Sequence, residues 1–172
     1  MTPLSELSGQ KLRWHRGTES KRKYVLEGAS GEVAHLAFTS SWTGSLATGQ
    51  TAHGEWTFKR AGFLHPRIIV RRAGADAACA VLSVSAMGNG TLAIEGAGEY
   101  KLASSGWLHR SWEFSGAGSR LLHFEQSHGG AEVEILGGAV PPDSLSIMLL
   151  LGWYFPVIAN EDAAAVAIMA AV

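Results

Sequence analysis

The stretch Pro141-Pro142-Asp143-Ser144-Leu145-Ser146-Ile147-Met148-Leu149-Leu150-Leu151-Gly152-Trp153-Tyr154-Phe155-Pro156 decides the fold. The paired prolines stop whatever precedes them. Asp143 or Ser144 can then cap a helix by accepting from an early backbone N–H. From Leu145 onward the apolar residues cover every face of a helical wheel, and a helix apolar all round is buried all round or lies in lipid. The uncharged run from Ser144 to Ala159 has sixteen residues, fewer than the ~20 of a usual membrane span. Glu161 and Asp162 follow, and a central Asp costs about 2.5–3.5 kcal/mol on the insertion scale. The pattern therefore predicts a core helix over 144–155. Pro156 has no N–H and clashes with the carbonyl of Gly152, so it should kink or end that helix. Asn160-Glu161-Asp162 supplies a cap for a second, short, alanine-rich helix predicted over 161–171.

Upstream, from about residue 11 to 136, the chain changes period. Tyr24 and Leu26 share a face, as do Ala34, Leu36 and Phe38; Trp56 and Phe58; Leu92 and Ile94; Trp112 and Phe114; Leu122 and Phe124; Val133 and Ile135. The alternate positions carry Glu55, Thr57, Lys59, Glu113, Glu125, Glu132 and Glu134. Such alternation marks antiparallel strands with one face buried and one wet. Glycine-containing turns separate about a dozen of them, the spacing of a sandwich or barrel. Trp56–Gly62 and Trp112–Gly118 share W-x-F-x-x-A-G, which leaves two readings open, a duplicated half or chance likeness between turn-rich segments.

Composition bounds the rest. The chain has 172 residues, 47% hydrophobic and 17% charged, with a net charge of -1 and one cysteine. That length suits a single domain over 1–172. The balance excludes a disordered chain and an intrachain disulfide framework, and it disfavours a general nucleic-acid binder, so no nucleic-acid partner is expected. Residues 1–10 lack a basic region followed by an apolar run, so no secretory signal is read there. The expected location is the cytoplasm, with peripheral contact at a membrane.

The two odd features explain each other. About a dozen strands curl or close rather than lie flat, and closure removes exposed edges. Eight strands already enclose a side-chain-filled interior, so a larger barrel has room for a helix. The fold expected is mainly β, a closed antiparallel barrel of about twelve strands around a central hydrophobic C-terminal helix. With Gly54–Arg71 and Pro142–Gly152 as the stretches that carry it, the chain resembles the tubby C-terminal-like superfamily, which includes the LURP-one-related proteins and the phospholipid scramblases. The resemblance implies the same barrel and helix. It also implies a non-enzymatic binding or scaffold module that contacts anionic phospholipid or phosphoinositide head groups through basic barrel residues.

The basic clusters are Lys21-Arg22-Lys23 and the group Lys59, Arg60, Arg67, Arg71 and Arg72. The second is the expected lipid or anion site, because Arg offers bidentate contacts to phosphate and Lys a point charge. Scramblases carry acidic residues associated with calcium at the entrance to the helix. Here the matching Asp143-Ser144-Leu145-Ser146 holds one carboxylate, too few for an ion that takes 6–8 oxygens. No cofactor or metal is expected. No P-loop, G-x-G-x-x-G, G-x-S-x-G or H-E-x-x-H occurs, so the sequence gives no motif for an enzyme. Two alternatives stand beside the binding module. One is a scramblase-like protein in which 144–159 inserts into a membrane. The other is an enzyme whose weak candidate group is His123, Glu125 and His128. Cys79 reads as a small buried hydrophobe. Trp42 and Trp107, beside turns, are the tryptophans expected to make exposed contacts.

Overall fold

The computed structural model describes residues 1–4, 7–20, 22–39, 45–62, 66–85, 87–105 and 110–170, with the side chains of 105 and 162–170 outside that description. Lys21, Trp42, Trp107 and residues 63–65, all singled out above, lie outside the described residues.

Among the described residues, twelve strands precede one helix. They are β1 (Lys11–Arg16), β2 (Lys23–Gly28), β3 (Gly31–Phe38), β4 (Ala47–Thr51), β5 (Gly54–Ala61) and β6 (Arg67–Arg72). The second six are β7 (Ala80–Val84), β8 (Gly90–Ile94), β9 (Gly98–Ser105), β10 (Ser111–Gly116), β11 (Ser119–Ser127) and β12 (Gly130–Ile135). Each pairs antiparallel with its sequence neighbours, and β1 pairs with β12 to close the barrel. All the residues assigned to the inner faces from their alternation are buried. Two β-bulges add to them. The register shifts opposite Leu26/Glu27 and at Phe114/Ser115, and Val33 and Leu121 turn inward beside residues that already do so.

The shared W-x-F-x-x-A-G segments are not a duplicated half. They fall on β5 and β10, five strands apart where two halves of twelve would need six. Their neighbours also pair differently: Phe58 faces Ala47, whereas Phe114 faces Leu102.

The helix α1 (Pro142–Ala170) fills the lumen. Met148, Leu149, Leu150 and Leu151 are each 0% exposed. Four consecutive residues span more than a full turn, so the helix has no wet side there. Aromatic rings pack around it: Trp14 stacks on Trp153 at 6.3 Å, Phe38 on Tyr154 at 5.4 Å, and Phe58 lies 5.6 Å from Tyr154. Close approach needs glycine on both sides. A Cβ at Gly49 of β4 would meet Leu150 at 2.8 Å, and one at Gly152 would meet the Phe124 ring at 2.2 Å.

One expectation is corrected. The helix does not end near residue 155 and restart at 161; it runs unbroken through Pro156. The missing N–H of Pro156 deprives the Gly152 carbonyl of its usual partner four residues on. The indole Nε1–H of Trp112 donates to that carbonyl at 2.8 Å. The barrel wall thus satisfies the group the proline leaves open.

At its N-terminal end the helix is tied to the wall by the ion pair of Asp143 with Arg72 and by a 3.0 Å hydrogen bond between the buried hydroxyls of Thr51 and Ser146. Leu4 and Leu7 are buried at this end, where Gly9 N–H donates to the Ile135 carbonyl. At the other end the Tyr154 hydroxyl donates to the Ser45 carbonyl. By length and composition, Pro142–Glu161 is apolar enough to cross a membrane, but 67% of that window is buried inside the barrel.

Candidate functional site

Strand alternation decides where each of the five basic residues points. On β5, Trp56 and Phe58 face the lumen, so Lys59 faces outward and Arg60 returns to the inner side at the rim. On β6, Ile68 and Val70 face inward, so Arg67 and Arg71 face outward and Arg72 reaches the opposite rim.

The group therefore splits. Arg72 pairs with Asp143 at the helix entrance, and its guanidinium lies over the Trp56 ring, 5.5 Å from the centroid. Arg60 sits half-buried near the other end, its backbone N–H donating to Ser45 Oγ at 3.3 Å. Both belong to the seating of the helix, since Ser45 also receives Tyr154.

Lys59, Arg67 and Arg71 stay together on the outer wall. Lys59 is opposite Ile69, Arg67 opposite Ala61, and Arg71 opposite Thr57. Lys59 is thus diagonal to both arginines, a separation of about 7–8 Å between such positions in a sheet. Arg71 is oriented by its own hairpin, Nε donating to the Asp76 carbonyl at 2.9 Å. The flanking strands present neutral residues on this face, Thr48 and Gln50 of β4 and Val81 and Ser83 of β7. Glu55, on the same face of β5, is diagonal to Arg71 on the side away from Lys59.

The outer wall of β10–β12, half-way round the barrel, has the opposite sign. It carries Glu113, Glu125, Glu132 and Glu134, with Glu125 directly opposite Glu132. Arg120 pairs with Glu113 at 2.8 Å, and Lys11 and Arg13 of β1 border the patch opposite Glu134 and Glu132. Three cations thus border the four carboxylates of this wall.

Other candidates are dispersed or occupied. His123 lies between Glu113 and Glu134 in the register, whereas Glu125 lies between Ser111 and Glu132. Among the described residues no three His, Cys, Asp or Glu side chains are grouped to hold a metal ion. Ser144 and Ser146 at the helix entrance are buried. Burial pushes the Cys79 thiol up, and Sγ points to the Val70 carbonyl at 3.6 Å. Arg22 reaches the Thr39 carbonyl and Glu161, each at 2.9 Å. Lys23 pairs with Glu19, which holds the Lys23 ammonium above and the Glu19 carboxyl below their ordinary ranges.

Sequence reasoning found the three outward cations but not their separation from Arg60 and Arg72. Counting alternate positions from Trp56 and Ile68 would have divided them. It also passed over Arg16, which continues the inward alternation of Leu12 and Trp14 to the rim where the helix emerges.

Comparison of this chain with protein-family models, with curated proteins and with solved structures finds no match.

Proposed function

We propose that this chain is a non-enzymatic binding module whose outer wall docks on anionic phospholipid head groups through Lys59, Arg67 and Arg71. The observation that carries the reading is their common face on β5–β6, bordered by neutral strands and set half-way round the barrel from the acidic wall. Three cations on one face attract an anionic surface toward that face. The resemblance to the tubby C-terminal-like superfamily supports the same reading, because the closed barrel around a buried helix is the architecture that resemblance implies. Arg72 and Arg60, which the sequence groups with the others, are left out of the docking surface because they face the rims.

Each basic residue near an anionic bilayer contributes about 1 kcal/mol. Removing three should weaken binding on the order of 100-fold. The test is flotation with vesicles of phosphatidylcholine alone, or containing phosphatidylserine or a phosphoinositide. The wild-type protein should float only with the anionic vesicles, and less so as salt rises. The combined variant Lys59→Gln, Arg67→Gln and Arg71→Gln should stay at the bottom. Equal binding to neutral vesicles, no binding to either, or full binding by the variant contradicts the proposal. Bound protein that resists carbonate extraction would favour insertion of the helix instead.

A further inference from the structure

A cleft of about 500 Å³ opens where the helix leaves the barrel, with Arg16, Tyr24, Ser127, Trp153, Val157 and Glu161 in its wall. That volume lies within the range of small-molecule sites. The wall combines two chemistries. Tyr24 and Trp153 meet edge to face at 5.6 Å and, with Val157, supply an apolar side. The polar side holds Arg16 and Glu161. Among the described residues the Trp153 Nε1–H and the Ser127 hydroxyl have no hydrogen-bond partner, but both atoms are closed off from solvent and lie behind the cleft surface.

Charge narrows the ligand. Arg16 stands at the exposed end of β1, and no carboxylate among the described residues pairs with it. Glu161 is the wall's carboxylate among the described residues and is held by Arg22 at 2.9 Å. A guanidinium with no carboxylate partner among the described residues suits a monoanion, and a carboxylate matches its two parallel N–H groups. A phosphate dianion would face Glu161 with a single cation to balance it.

We infer that this cleft binds a small amphipathic monocarboxylate, its head on Arg16 and its apolar body against Tyr24, Trp153 and Val157. The site is separate from the outer wall of β5–β6 and does not depend on it.

Calorimetric titration with octanoate, free in solution and below its micellar concentration, tests the inference. Saturable one-to-one binding is expected. Octanol, which keeps the chain but not the charge, should bind about tenfold or more weakly, and Arg16→Gln should weaken octanoate by a similar factor. Arg16 is exposed, so its variant should keep the wild-type melting curve. Lys59→Gln should bind octanoate as the wild type does. No saturation at millimolar octanoate, equal affinity for octanol, unchanged affinity in Arg16→Gln, or loss in Lys59→Gln would each overturn the inference.

Discussion

Pro156 shows how a single residue can violate a local rule when its neighbours compensate. The proline removes the N–H that the Gly152 carbonyl would otherwise accept, and Trp112 from β10 takes its place at 2.8 Å. The three residues should therefore behave as a unit. Trp112→Phe alone leaves a buried carbonyl unpaired, a loss of about 1–3 kcal/mol beyond any change in packing. In a Pro156→Ala background the restored helical N–H should reduce that loss by about 1 kcal/mol or more, a non-additivity that urea unfolding of the four variants will read. Additive costs would show that Trp112 only packs. None of this was legible in the sequence. The break expected at Pro156 followed correctly from its own chemistry; the donor that offsets it lies 40 positions away in the chain. The buried Leu4 and Leu7 were missed for a related reason, since two leucines in an irregular segment have no period to reveal them.

The helix and the strands are held in register by a few polar contacts within a largely apolar interface. Tyr154 makes one of them. Its ring is fully buried, its hydroxyl donates to the Ser45 carbonyl, and burial pushes its pKa up from 10 to about 12. The unfolded chain loses this proton near pH 10, while the folded protein keeps it until about 12. The contribution is thus complete below pH 10 and lost as pH rises through 12. It amounts to roughly 2–3 kcal/mol over that window. Wild-type stability should fall between these pH values by about that much more than the stability of Tyr154→Phe, as denaturant unfolding at each pH will show. Parallel decline in both proteins would mean that the phenol is not enclosed. At this scale the strands were largely legible, because each hides one face and alternation records which. The exceptions are Val33 and Leu121, where bulges break the alternation. The basic residues were legible by type, but their directions required strand parity. Arg60 and Arg72 turn to the rims for the same reason that Phe58 and Val70 turn inward.

For the whole molecule, the hydrophobic fraction and the small net charge have one explanation, a barrel closed around its own C-terminal helix. Twelve strands leave a lumen that their side chains do not fill, and the helix from Ile147 to Tyr154 fills it on all sides. That mutual need was readable from the sequence, since neither a helix without a polar face nor an open sheet of that width is stable alone. The neutral borders of the basic face were not readable, because they depend on which strands stand side by side after closure. The enclosure also makes a strong demand on dynamics: the helix cannot expose its amides unless the barrel opens. Amide hydrogen exchange of the native protein over residues 147–154 measures this directly. Those amides should exchange only by global unfolding, with the same free energy and denaturant dependence as the inward strands Trp56–Phe58 and Leu122–Phe124. Exchange of the helix at markedly lower free energy, while the strands stay protected, would show that it leaves the barrel on its own and would contradict the account.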